Sequence, residues 1–317
     1  MRARTFVAAF IVGTSSLLLR FCRIPWSIEN DVDGLNALVV DSSGAALWST
    51  CHKDLEGRDV IQRGAFRDAT TTLLSGLTCP AVVASREGVV FFRERGHLMR
   101  ASFDGQNRAV LVESPTRVLG VSRSRVFFVK YGAMYSISTA GGEPEYLAAQ
   151  IPEYADVNDD YLVWCDKADE HIWRMDLRDR SIKQLAWAIG VGDGSVTGLA
   201  IFKNQAVWSL DGSETLLYPP NDGAVWGVPL DGGHPKLLVE DLDHPFGLVA
   251  DGNRLYWIQE KTTLARSTAL PWVFPSVVGE TEWGDPTVAA AGGKVYWTTQ
   301  GVPGGSSRSI RTSLYPR

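Results

Sequence analysis

Apolar residues along this chain fall in short bursts between polar turns, and one burst keeps its shape. Lys294-Val295-Tyr296-Trp297 sets adjacent apolar residues before a closing aromatic. Six altered copies stand upstream: Arg254-Leu255-Tyr256-Trp257, Gln205-Ala206-Val207-Trp208, Tyr161-Leu162-Val163-Trp164, Arg125-Val126-Phe127-Phe128, Val89-Val90-Phe91-Phe92 and Ala45-Ala46-Leu47-Trp48. The closing aromatics stand at positions 48, 92, 128, 164, 208, 257 and 297, with spacings of 44, 36, 36, 44, 49 and 40 residues. A period of about 40–45 residues built round an aromatic strand indicates a β-propeller.

Each unit repeats one order. A short apolar strand A, such as Leu35–Val40, leads through a turn like Asp41-Ser42-Ser43-Gly44 into strand B with the aromatic anchor. Strand C ends in turns such as Phe103-Asp104-Gly105 or Leu230-Asp231-Gly232-Gly233, and strand D carries Val or Leu, as in Val110–Val112 and Lys236–Val239. Short strands between regular turn signals predict an all-β chain. Adjacent residues of a strand point to opposite faces. The doubled apolar residues before each anchor therefore require both faces to be covered, which radially packed blades do and a sandwich with one wet face does not. Pro80, Pro115, Pro152, Pro245 and Pro286 precede their anchors by 11 to 13 residues. Proline lacks an N–H and suits the first residue of a strand, so these mark where strand A begins.

The predicted blades run over residues 34–76, 77–112, 113–149, 150–188, 193–240, 242–280 and 283–317. The first is irregular, with Cys51–Ala65 reading as a long polar connection before strand C. The fifth holds an insertion, Asp211–Asp222, between strands B and C. The last stops after strand C at Ser309–Leu314, and the apolar piece Ile24–Glu29 is the natural partner for its open edge, which would otherwise invite aggregation. The expected fold is a single propeller over residues 23–317, its last blade closed by an N-terminal strand.

Composition changes this picture at one end only. The chain has 317 residues, 45 % hydrophobic, 11 tryptophans of which five close a repeat, and a formal net charge of −5 with both signs scattered. No basic patch supports nucleic-acid binding. Residues 1–22 differ: Arg2 and Arg4 precede an uncharged run from Phe6 to Leu19. That order suits a secretory signal peptide, and the run falls short of the roughly 20 residues of a spanning helix. Arg20 and Phe21 interrupt the cleavage region, so an uncleaved N-terminal anchor is the alternative. The domain is expected outside the cytoplasm, secreted, periplasmic or membrane-anchored, as a monomer touching a membrane only through this segment.

The fuller units resemble the YWTD repeat of low-density-lipoprotein-receptor propellers and its bacterial relatives. Val295-Tyr296-Trp297-Thr298 matches the first part of that repeat. Met99-Arg100-Ala101-Ser102-Phe103-Asp104-Gly105 and Val228-Pro229-Leu230-Asp231-Gly232 match portions of the second, and Arg174, Arg266 and Arg311 stand at the arginine position of other units. The family aspartate, two residues after the tryptophan, survives only as Asp166. The resemblance implies a six-bladed ring, whereas the anchors number seven. Seven blades are favoured; six is the alternative, in which the first unit is not a full blade.

Candidate chemistry is sparse. His52, His97, His171, His234 and His244 form no zinc spacing, no phosphate-cradling glycine loop occurs, and no cofactor or metal is expected. Asp156-Val157-Asn158-Asp159-Asp160 matches the first half of a calcium loop, but Tyr161 replaces the glycine and the twelfth-position glutamate is missing; an Asx-rich turn is the expected structure. Strands B–C and D–A are joined on one common face. There the D–A connections bring Asp241, Asp243 and His244, and Trp283 and Asp285, toward the channel mouth, the expected ligand-binding set. Two function classes remain. One is an exported non-enzymatic propeller that binds a protein or glycan through this loop face; the other is a hydrolase or lyase using the acidic loop residues, for which no catalytic pair can be assigned from spacing. In an exported chain Cys51 and Cys79, on neighbouring units and the same face, are expected to form a disulfide, leaving Cys165 as a buried thiol.

Overall fold

The structure, a computed structural model, describes residues 26–32, 34–52, 57–65, 68–166, 171–188, 194–212, 222–252, 254–259, 263–268, 276–280, 287–300 and 308–314. Residues 1–22, and with them the expected signal segment, lie outside this set. Twenty-eight strands form seven four-stranded antiparallel sheets, and no helix occurs among the described residues.

Blade one comprises β2 (Leu35–Val40), β3 (Ala46–Thr50), β4 (Asp59–Gly64) and β5 (Thr71–Leu77); blade two, β6 (Ala81–Arg86), β7 (Val89–Glu94), β8 (His97–Ser102) and β9 (Ala109–Val112). Blade three holds β10 (Arg117–Val121), β11 (Arg125–Lys130), β12 (Ala133–Ser138) and β13 (Glu145–Ala148); blade four, β14 (Pro152–Val157), β15 (Tyr161–Asp166), β16 (His171–Asp176) and β17 (Ile182–Trp187). Blade five holds β18 (Val196–Phe202), β19 (Gln205–Leu210), β20 (Gly223–Pro229) and β21 (Lys236–Leu242); blade six, β22 (Phe246–Asp251), β23 (Arg254–Gln259), β24 (Thr263–Thr268) and β25 (Ser276–Glu280). Blade seven joins β26 (Val288–Ala291), β27 (Lys294–Gln300) and β28 (Arg308–Leu314) to β1 (Trp26–Val32). Here the chain ends meet: Trp26 pairs with Thr312 and Glu29 with Ile310. The closing strand thus lies slightly downstream of the expected Ile24–Glu29.

The first strand of every blade is innermost, and each meets the next round the ring until β26 returns to β2. The core follows the same count. Seven buried clusters fill the seven seams between blades, and each combines the anchor of one blade with the residue preceding the anchor of the blade before. Phe92 faces blade one beside Leu47, whereas Phe91 faces blade three beside Phe128. At the closing seam Trp48 packs with Tyr296. The doubled apolar positions thus serve two seams at once, as opposite pointing along a strand requires. An anchor truncated to alanine would leave a cavity costing about 3–5 kcal/mol.

Polar contacts tie the same seams. Asn36 Nδ2, Arg117 Nη1 and the Thr197 hydroxyl, all on inner strands, donate to the carbonyls of Pro80, Pro152 and Pro245, where the next blade begins; the first two distances are 2.7 and 3.1 Å. Arg100 and Arg174, at the arginine position of strand C, donate to the next blade's C–D turn at Thr139 O (3.0 Å) and Leu230 O (2.7 Å). Tyr296 Oη donates to Gly44 O of blade one at 2.7 Å. Asp156 Oδ2 accepts the N–H of Ile201 on the inner strand of blade five at 2.7 Å. Burial pushes the pKa of Asp156 up, although two backbone N–H donors pull the other way.

One expectation needs correction. Cys51–Ala65 is not a connection ahead of strand C; strand C of blade one, β4, lies inside it. Its polar sequence hid it, because Gln62 and Arg63 bond within the blade and Asp59 is buried as a hydrogen-bond hub. Blade one is therefore complete, and the ring has seven sheets.

Candidate functional site

The face that carries the B–C and D–A connections brings Asp243 and His244 together at the corner between β21 and β22. His244 Nδ1 lies 2.5 Å from Asp243 Oδ1, with the two side chains 36 % and 29 % exposed. A carboxylate on Nδ1 makes that nitrogen the donor and sets Nε2 as the base nitrogen. Asp241 is the penultimate residue of β21, exposed and separated from this pair in sequence by one buried residue, Leu242. Trp283 and Asp285, the other two expected members, lie outside the described residues.

The backbone of this corner is unusual for non-glycine residues, with φ of 58° at Asp241 and 44° at His244. Such strain can mark function, but here the repeat supplies another reason. Cys79 (φ 45°) and Ser114 (φ 49°) adopt the same left-handed conformation immediately before Pro80 and Pro115, as His244 does before Pro245. The residue before proline is disfavoured in the right-handed helical region, and the D–A corner must reverse the chain at that point. The positive φ is therefore a property of the corner, and what distinguishes this one is its Asp–His side-chain pair.

The corner packs on the root of the blade-five insertion. A Cβ on Gly223, the first residue of β20, would come 2.5 Å from Pro245 Cδ and 2.6 Å from Leu242 O, so only glycine lets the two backbones approach this closely. A Cβ on Gly194 would lie 2.6 Å from Gly212 N, and Ser195 N–H donates to Asp211 Oδ1 at 2.7 Å. Asp211 and Asp222 bracket the insertion; residues 213–221 lie outside the described set, as does the glycine-rich connection of blade seven, 301–307. The insertion is thus fixed at its base to the corner that holds His244.

At blades one and two the same face carries a second constellation. Cys51 and Cys79 are joined as a disulfide, with Cα atoms 4.0 Å apart, while Cys165 is buried and its Sγ donates to Asp166 O at 3.5 Å. Beside them lies Asp59, fully buried. Its Oδ1 accepts His52 N–H at 2.9 Å and faces His52 Nδ1 at 2.7 Å, and its Oδ2 accepts Cys79 N–H at 2.7 Å. A buried carboxylate holds only when its lone pairs are satisfied, and here the donors come from both connections that the disulfide joins. Spacing alone singled out the cysteines but not Asp59, because nothing in sequence brings residue 59 to residue 79.

The calcium-like loop disperses. Asn158 Oδ1 accepts the N–H groups of Asp160 (2.9 Å) and Tyr161 (2.7 Å) in an Asx turn. Asp159 pairs with Arg86, at the end of β6 in blade two, at 2.9 Å and with Arg123, in the A–B turn of blade three, at 3.4 Å, and Asp156 turns inward. Among the described residues no group of three or more His, Cys, Asp or Glu could hold a metal ion.

No family model and no curated protein matches the chain. Solved structures do. Virginiamycin B lyase from Staphylococcus aureus is similar over 92 % of this chain and 99 % of its own, with 12 % identity and a TM-score of 0.63. A catalytically inactive variant of that lyase with quinupristin gives 12 % identity and 0.62 over the same shares. The AfRom2 CNH domain covers 93 % and 100 %, with 8 % identity and 0.61. At these identities the likeness concerns the β-propeller fold.

Proposed function

We propose that this chain is an exported, non-enzymatic propeller that binds a protein or glycan partner through its B–C/D–A face, between blades five and seven. One observation carries the reading: the Asp243–His244 pair stands half-open on a corner that is packed, through Gly223 and Pro245, against the root of the longest insertion. Loops held on a rigid scaffold are where binding residues gather, and a few orienting polar groups beside an aromatic are how small sites are usually built. Trp283 and Asp285, in the next D–A connection, complete the proposed set with Asp241. Export is supported by the basic-then-apolar N-terminus and by the Cys51–Cys79 pair, which an oxidising compartment permits. The YWTD-type ancestry remains part of this reading, carried by the strand-C arginines.

The test is affinity capture with the purified domain, followed by titration of the recovered partner against His244→Ala, Trp283→Ala and Asp285→Ala. Loss of a central contact is expected to weaken binding by about tenfold or more, ~1.4 kcal/mol. A partner whose affinity stays within about twofold for all three variants would place the binding surface elsewhere. A second reading, a lyase or hydrolase, rests on the carboxylate-oriented imidazole of His244, an arrangement suited to general base work. Turnover abolished by His244→Ala, with binding retained, would favour it over the first.

A further inference from the structure

Blade four carries an aromatic ladder, apart from the His244 corner. On the sheet face turned toward blade three, Trp164 of β15 stacks on Trp173 of β16, with ring centroids 6.4 Å apart and planes at 12°. His171, two residues before Trp173 on the same strand, lies 6.3 Å from it at 51° and stacks in turn on Trp187 of β17 at 6.3 Å and 21°. The ladder leads from a closed ring to an open one: Trp164 is fully buried, whereas Trp187 is 52 % exposed. Its middle is fixed, because Trp173 Nε1 donates to Asp166 Oδ2 at 2.9 Å. Leu185 and Ala186, beside Trp187 on β17, are held in the seam with blade five. With its ring stacked on His171 and its strand anchored, Trp187 stands half exposed at the end of strand D, on the B–C/D–A face.

A scattered surface apolar residue needs no explanation, but a tryptophan stacked on His171, at the end of a row of contacting rings, is preorganised. We infer that Trp187 and His171 form a stacking platform for a neutral β-1,4-linked oligosaccharide, a site that goes beyond the reading above. In such a sugar the axial C–H groups make a flat, weakly positive apolar face that matches the negative face of an indole ring. One covered ring face leaves room for one sugar unit. The hydroxyls at its rim then need polar neighbours, and His171 supplies a donor. Its Nδ1 is buried without a hydrogen-bond partner. A buried acceptor without a donor is better tolerated than a buried N–H without an acceptor, so the proton belongs on Nε2. A neutral sugar suits the platform because the cations of these strands are turned to blade five: Lys183 Nζ donates to Asp231 O at 2.6 Å, and Arg174 to Leu230 O. The exposed Gln184 on β17 adds a further hydrogen-bonding group.

The test is titration of cellohexaose and of chitohexaose into the whole chain, followed by tryptophan fluorescence and calorimetry to about 10 mM, a range that captures the weak affinity of a single platform. At least one sugar is expected to bind saturably. Trp187→Ala should weaken it by about tenfold or more, and Trp187→Tyr, which keeps an aromatic face, should hold most of the affinity. Val110→Ala, at an exposed position on blade two, should bind as the parent does. No binding of either hexasaccharide, or binding by Trp187→Ala within about twofold of the parent, overturns the proposal; circular dichroism of the alanine variant shows whether it is folded. The His244 variants leave this outcome untouched, so failure here and failure of the loop-face reading can be told apart.

Discussion

Tyr296 shows how much one repeat position can do. It is fully buried in the closing seam, packs in the cluster that holds Trp48, and donates its hydroxyl to Gly44 O across that seam. Burial raises the phenol from 10.0 to about 12, with the charge of Asp41 adding to the shift. Its contribution to stability is therefore complete below the unfolded pKa near 10, and is lost as pH rises through about 12, because only the folded state keeps the proton in between. Tyr296→Phe should cost about 1–2 kcal/mol at neutral pH, by leaving the Gly44 carbonyl without its donor. Measured by urea unfolding, the parent should lose on the order of 2–3 kcal/mol more than the phenylalanine variant between about pH 10 and 12. Parallel curves over that interval would mean that the phenol titrates freely.

At the scale of the element, β1 is the strand on which closure depends. It pairs with β28 across the two ends of the chain and contributes Val32 to the seam with blade one. A variant lacking residues 1–33 should leave the outer edge of β28 open and remove Val32 from the core. Burial of one valine is worth about 1.5–3 kcal/mol, so the melting temperature should fall by at least roughly 5 °C, and the open edge should promote self-association. Light scattering and thermal denaturation would show this, and a synthetic peptide spanning Trp26–Val32 should reverse the added self-association. A melting temperature and a scattering profile unchanged from the parent would show that ring closure does not depend on β1. The neighbouring case, β4, teaches the opposite lesson about legibility. Its polar residues read as connection, because what makes it a strand is pairing with β3 and β5 and the satisfied burial of Asp59, neither of which is a local property.

At the scale of the molecule, seven like seams close a ring that has one covalent tie, Cys51–Cys79, among the described residues. The two cysteines are 28 residues apart; closing a loop of that size corresponds to about 3.6 kcal/mol of unfolded-state entropy. Replacing both by serine should lower stability by about 2–4 kcal/mol, checked by denaturant unfolding with and without reductant: the parent should become reductant-sensitive and the variant should not. Equal stability of all four samples would assign the hold at this corner to Asp59 alone. The order of strands, the seven anchors and the doubled apolar positions were legible in the chain itself, because a period near 40 residues and a two-sided strand are local facts that only radially packed blades satisfy. So were the proline corners and the pairing of the two ends, since a missing fourth strand demands a partner. What lay beyond the sequence came from residues far apart in number meeting in space. The tertiary structure alone joined His244 to the root of the insertion through Gly223, placed Asp59 between Cys51 and Cys79, and brought Trp164, Trp173, His171 and Trp187 into one ladder. Periodicity says which face a side chain takes; only the closed ring decides what stands across from it.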